Sequence, residues 1–172
     1  LALETGPGRF VRAHGTLAVA DEPAYDVAAS WTDFRWPLVG DVLVTSPRGE
    51  LTARGWTEFD YRVSGEFASS AGPPVAGSAA GRFATATMTV DESDLRVLGG
   101  RVSLKGSLGR GDAAPWSVAG HASGIDPGKL RPELPGRLTF DFAAGGTGFG
   151  ERAPWNASIR NLSGPFRGQP AG

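Results

Sequence analysis

The stretch Gly100-Arg101-Val102-Ser103-Leu104-Lys105-Gly106-Ser107-Leu108 alternates without a break: every even position is apolar or glycine, every odd one polar. A period of two is that of a strand whose successive side chains point to opposite faces of a sheet, one dry and one wet. Residues 25–31, 61–67 and 137–142 repeat the pattern. Runs at 11–19, 42–44, 49–55, 83–90, 95–98, 116–122 and 155–162 bring the expected strands to about ten to twelve. Between them stand clusters that favour turns: Asp21-Glu22-Pro23, Ser46-Pro47-Arg48, Ala71-Gly72-Pro73-Pro74, Gly109-Arg110-Gly111-Asp112, Asp126-Pro127-Gly128 and residues 131–136. The chain therefore reads as all-β, a meander of hairpins. Residues 69–78, rich in small residues and proline, are expected to be a mobile loop inside one assembly. No domain boundary is visible, so 1–172 is expected to be a single elongated segment.

Composition agrees. With 26 glycines and 13 prolines among 172 residues, little sequence is left for long helices. Seventeen Lys and Arg against eighteen Asp and Glu give a net charge of -1, so no global positive field exists to hold nucleic acid or an anionic surface. The absence of cysteine removes disulfides, thiol nucleophiles and thiolate metal sites together. No run of 18 apolar residues occurs, and Leu1-Ala2-Leu3-Glu4 has neither a starting methionine nor a basic n-region. The chain reads as a fragment of a larger protein.

A phrase recurs: glycine, an alternating strand, a gap, then an aromatic that opens a second alternating strand. Gly100 to Trp116, Gly136 to Trp155, Gly49 to Tyr61 and Gly15 to Tyr25 are the copies, with glycine-to-aromatic spacings of 16, 19, 12 and 10 residues. Loops that vary around a constant hairpin suit one-dimensional growth of a ribbon. Ten or so strands at about 4.8 Å make a sheet about 45 Å long, each strand about six residues across. Internal glycines such as Gly65, Gly106 and Gly120 allow the ribbon to bend across its width. Curled lengthwise, it makes a taco-like groove whose inner wall is Tyr61, Val63, Phe67, Val102, Leu104, Leu108, Trp116, Val118, Leu138, Phe140 and Phe142, with no charged side chain. The alternative is a β-sandwich, in which the same side chains meet as a core. Alternation does not separate the two.

Chemistry-bearing residues are sparse. His14 and His121 are the only imidazoles, and Ser107, Ser117 and Ser123 near His121 lack the strand–turn–helix elbow of a serine nucleophile. Gly146-Thr147-Gly148-Phe149-Gly150 has neither the lysine nor the following helix of a phosphate loop and reads as a hairpin loop. Asp91, Glu92 and Asp94 read as a solvated turn rather than a calcium site. No catalytic residue, metal or cofactor is expected, and the chain is expected not to be an enzyme. Trp31, Trp36, Trp56, Trp116 and Trp155 leave a carbohydrate-binding module as a rival, and exposed edge strands leave a protein-binding module or self-association by strand addition.

Taken in order, Trp36-Pro37-Leu38, Gly49-Glu50-Leu51, Asp94-Leu95, Leu98 through Gly106, Pro115-Trp116, Gly124-Ile125-Asp126-Pro127 and Pro135-Gly136-Arg137-Leu138 resemble the TamB family, translocation and assembly module subunits within the AsmA-like group of bridge-like proteins. The resemblance spans about residues 30–168 and is loose over 1–29. It implies a periplasmic β-groove, anchored in the inner membrane by a segment elsewhere, whose greasy interior passes phospholipid acyl chains. It also implies partnership with the outer-membrane barrel protein TamA and a part in assembling outer-membrane proteins. Catalytic residues are not implied, and the lining transfers only as the apolar positions named above. A lipid with two acyl chains buries on the order of 20 kcal/mol of hydrocarbon, which is why a continuous apolar path would matter, and an open seam for head groups implies low selectivity.

Overall fold

The computed structural model describes residues 2–6, 8–19, 23–37, 41–70, 72–111, 113–148 and 152–171. Asp21, Glu22, Leu38, Ala71, Asp112, Phe149 and Gly150, all used in the sequence reading, lie outside them. The strands are β1 (Ala2–Gly6), β2 (Arg9–Ala18), β3 (Ala24–Trp36), β4 (Val44–Gly55), β5 (Phe59–Ser69), β6 (Gly72–Ala84) and β7 (Thr87–Val90). They continue as β8 (Glu92–Val97), β9 (Gly100–Gly109), β10 (Pro115–Ile125), β11 (Leu138–Thr147), β12 (Trp155–Phe166) and β13 (Gln169–Ala171). A single 3-10 turn, Pro127–Lys129, interrupts them, with Asp126 accepting from the Gly128 amide at 2.9 Å.

The thirteen strands form one antiparallel sheet in which chain order is almost the spatial order. β7 and β8 share a single row between β6 and β9. Where that row breaks, the Ser93 hydroxyl replaces the missing ladder contacts, accepting from the Leu104 amide at 2.7 Å and donating to its carbonyl at 2.9 Å. Twelve rows at strand spacing give a sheet on the order of 50 Å long.

Four expectations are corrected. The strands are ten to thirteen residues long through most of the sheet, not about six, because the ladder runs on through glycine and proline. Ser46-Pro47-Arg48 is a register shift inside β4, not a turn. Residues 72–78 belong to β6 and are not a loop; Pro73 and Pro74 sit near its start, beside a register shift, where a missing amide costs least. Residues 83–90 fold back on themselves, with Ala84 opposite Thr87.

Among the described residues no second layer covers the sheet. Among the described residues the substantial contacts between strands are all between ladder neighbours, so the sandwich alternative does not form. The accessible surface, 11729 Å², compares with about 8000 Å² for a compact monomer of this mass. Val102, Ala122 and Ile125, with Leu95, Leu98, Phe140 and Phe142 against them, make a small buried cluster.

The sheet is curved. Tyr25 on β3 and Phe59 on β5 have a full strand between them, about 9.6 Å of backbone separation, yet their ring centroids are 6.0 Å apart. Trp31 and Phe67, also on β3 and β5, approach to 6.3 Å. Rings on one face converge over the intervening strand, and that face is the concave one.

Candidate functional site

Ladder partners share a face, so the register assigns each side chain to a side of the sheet. One line of partners runs across ten strands: Leu17, Tyr25, Gly55, Phe59, Phe83, Met88, Leu108, Trp116, Gly146 and Trp155. Parallel to it lie Val90, Gly106, Val118, Ala144 and Ala157; then Leu104, Gly120, Phe142 and Ile159; then Leu95, Val102, Ala122 and Phe140. Tyr61, Val63 and Phe67 on β5 face the same way, paired to Gly81, Ala79 and Val75. Leu138, opposite Ile125 past a register shift, completes the set. All eleven side chains expected on an inner wall therefore lie on one face, although they come from four strands.

From β3 to β12 that face carries no charged side chain among the described residues away from its rim; at the β2–β3 rim Arg9, on the face of Val11, is ion-paired with Asp33 at 2.7 Å. Its polar groups are satisfied. Ser46 Oγ, fully buried, accepts from Trp31 Nε1 at 2.8 Å and donates to the Arg48 carbonyl at 3.1 Å. The Tyr61 hydroxyl donates to the Thr89 carbonyl at 2.7 Å, bracing β5 to β7, and burial followed by the Asp91 charge pushes its pKa above the ordinary tyrosine value. Trp116 Nε1 donates to the Gly148 carbonyl at 3.0 Å.

The concave face is open. Leu17 is 58% exposed, Trp155 70% and Ile159 62%, and Met88 and Leu108 are also exposed. Of the eleven wall residues only Tyr61 and Val102 are buried. Glycines under the rings shape the floor. A Cβ on Gly49 would land on the Trp31 indole, and one on Gly120 would sit 2.9 Å from the Phe142 ring. The aromatics lie down across their neighbours' glycines instead of standing up.

The convex face is polar and neutral. Asp26, Arg54, Asp60 and Arg82 are successive ladder partners of alternating sign. Arg48–Glu66 (2.7 Å), Arg82–Glu58 (3.0 Å) and Arg101–Asp94 (2.9 Å) add ion pairs, each exposed and worth little individually. His121 is here, its Nδ1 2.7 Å from Asp141 Oδ1, and Asn161 Nδ2 donates to the other oxygen at 2.6 Å. Those two bonds hold the Asp141 carboxyl below the usual carboxylate range. Ser107 and Ser117 bond to each other at 2.9 Å, and Ser123 is paired to Arg101. His14 stands exposed opposite Ala28. Glu92 and Asp94 lie in β8 and not in the turn expected of them, because β8 pairs with β6 through these positions; Asp94 is taken by Arg101 and Glu92 lies 3.7 Å from Arg62, so the acids are spent separately. No cluster able to hold a metal occurs among the described residues.

The family model described as TamB, N-terminal domain, matches residues 11–171. The chain belongs to the TamB family. The match reaches further toward the N-terminus than the quoted phrases do, taking in β2 and most of β3, where the TamB resemblance in sequence is loose. No curated protein and no solved structure matches the chain.

Sequence reasoning left out Leu17, Tyr25, Phe59, Phe83, Met88, Trp155 and Ile159, which lie on the TamB-family chain's apolar face. Phe83 and Met88 were hidden by reading 83–90 as one strand, since the Thr85-Ala86 turn contains neither glycine, proline nor asparagine. The others alternate visibly and needed only the register to place them.

Proposed function

We propose that this TamB-family segment shields the acyl chains of phospholipids moving between inner and outer membranes. It is then a periplasmic part of a larger protein anchored to the inner membrane by a segment outside these residues. The outer-membrane barrel protein TamA is its partner, outer-membrane protein assembly is served by the same complex, and the segment catalyses no reaction. One observation supports this reading above the others: a concave face continuous over eleven strands from β2 to β12, its only charges the Arg9–Asp33 ion pair at one rim among the described residues, with large apolar side chains still exposed. Soluble monomers seldom leave such a surface uncovered, and its length follows the direction in which strands are added.

Physically, the groove spares a lipid the exposure of its chains, on the order of 20 kcal/mol for two chains at about 0.8 kcal/mol per methylene. Hydrocarbon contact is non-directional, so a face with no fixed polar group on its floor lets the chains slide without breaking specific bonds. The test is native mass spectrometry of the chain purified without detergent, with the released lipid identified after denaturation. Co-purified phospholipid that disappears in Leu104→Arg, with the circular dichroism spectrum unchanged, is expected. A folded chain that carries no lipid at any stoichiometry, and acquires none from vesicles, overturns the reading.

A further inference from the structure

Antiparallel strands put their turns alternately along two long rims of the sheet. On one rim, near its middle, the end of β5 (Glu66, Phe67, Ala68), the start of β6 (Pro73 to Ala76), the Leu98-Gly99 turn and Lys129-Leu130 at the 3-10 turn line a depression of about 530 Å³. Its volume is that of a small-ligand site. Its apolar lining includes Phe67, Val75, Val97 and Leu130, and Phe67 and Val75 are ladder partners on the concave face. The floor of the depression is thus continuous with the groove.

Its charge is unbalanced. Lys129 lines it beside the turn and Arg96 lines it from the convex side of the rim, as partner of Ala76 and Arg101, and among the described residues neither has an acidic partner. The Lys129 side chain lies across the Leu98-Gly99 turn: a Cβ on Gly99 would meet its Nζ at 2.8 Å and its Cε at 3.0 Å. Glu66, the one acid in the lining, is bound by Arg48 at 2.7 Å. Asp126, next to the 3-10 turn, spends its Oδ1 on the amides of Gly128 (2.9 Å) and Gly136 (3.2 Å). Two uncompensated cations therefore stand where an apolar wall meets water.

We propose that this rim depression seats the phosphate-bearing head group of an anionic glycerophospholipid whose acyl chains lie in the groove. The proposal rests on the lipid-shielding reading and adds charge selectivity to it. Lys129 and Arg96 meet the phosphate in water, while Phe67, Val75 and Val97 meet the first methylenes. Exposed ion pairs are weak, so the site biases the lipid carried and does not dictate it. This departs from the sequence expectation of a head group without specific contacts.

The experiment exposes the whole chain to vesicles of equal phosphatidylglycerol and phosphatidylcholine, matched in acyl chains, and reads the bound lipids by native mass spectrometry. Phosphatidylglycerol is expected to be enriched about five-fold, the factor that two exposed ion pairs supply, and the enrichment should shrink as salt is raised. Lys129→Gln with Arg96→Gln should bring the ratio near one while total bound lipid is unchanged; Lys129→Arg should keep it. Lipid bound by the native chain at a ratio of one, or a ratio that survives the double glutamine variant, overturns the head-group site and leaves the groove standing. Absence of both lipids from a folded chain overturns the groove reading itself, and this site with it.

Discussion

Replacing Gly49 by alanine tests the idea that the concave face is shaped by rings lying over glycines. The new Cβ would occupy the position of the Trp31 indole and would also come within 2.8 Å of the Ser64 carbonyl oxygen on the next strand, so the ring must swing away. Swinging breaks the 2.8 Å bond from Trp31 Nε1 to the fully buried Ser46 hydroxyl, about 1 kcal/mol. It also separates the indole from Phe34 (5.9 Å) and Phe67 (6.3 Å), about 0.5–1 kcal/mol each. Local overpacking adds about 1 kcal/mol or more, and the stiffer unfolded chain of alanine returns about 0.5 kcal/mol. The net expectation is a loss of about 3 kcal/mol, or about 9 °C in Tm for a chain of this size. Urea titration followed by far-ultraviolet circular dichroism measures it, with Gly72→Ala as the control, because a Cβ at Gly72 meets nothing within 4 Å. If the two variants are equally stable within about 0.5 kcal/mol, the indole does not depend on Gly49 and the reasoning fails.

Ile159→Lys places a charge on the concave face where the side chain is 62% exposed; folding stability should move by no more than about 0.5 kcal/mol while bound lipid falls several-fold. Val102→Lys, at 9% exposure inside the buried cluster, should instead cost about 3 kcal/mol or more in a denaturant titration, and equal costs for the two would mean that the face is closed. Tyr61→Phe removes the brace to Thr89 and should cost about 1 kcal/mol below pH 9. Because the native Tyr61 pKa is raised, its contribution is whole below the ordinary tyrosine pKa and fades as pH rises beyond it, so the variant should show a shallower loss of stability above about pH 10. Asp141 has the opposite sign. Its lowered native pKa makes its contribution whole above the ordinary aspartate value and lost as pH falls through the native one, so Asp141→Asn should flatten the denaturation midpoint against pH below about pH 4.

The fold was legible because a half-wet sheet writes its period directly into the chain. Residues 100–108 could be assigned to faces one by one, and the even positions from Val102 to Leu108 each meet an apolar or glycine partner on β10. What stayed hidden is what alternation does not encode. β6, rich in alanine and glycine, presents little contrast between its faces and begins with two prolines, so it reads as a loop; tertiary pairing with β5 and β8 makes it a strand. The turn at Thr85-Ala86 lacks turn residues because the hairpin is held by its neighbours on the sheet. Openness was equally invisible. Val102 and Leu108 follow the same alternation, yet one is buried and the other exposed, because Ile125, Leu98 and Phe140 pack around Val102 and not around Leu108. The His121–Asp141 pair joins residues twenty apart, and only the β10–β11 register brings them opposite.

An uncovered apolar face is costly, and that cost bears on how loading and stability are linked. Sheets in globular domains bury one face against another layer; here the layer is absent, and the glycines that admit Trp31 and Phe142 let rings recover some of the lost contact from neighbouring strands. On the proposed function the acyl chains are the second layer. A ligand that binds only the folded sheet stabilises it by RT ln(1 + [L]/Kd), about 2.7 kcal/mol at a hundred-fold excess over Kd. For 172 residues that is a rise of about 8 °C in Tm on loading. The rise should vanish in Ile159→Lys, whose unloaded stability is unchanged. A Tm indifferent to lipid in a chain that demonstrably carries it would mean that lipid binds the unfolded chain as well as the folded one, and the curled sheet would then contribute no affinity of its own.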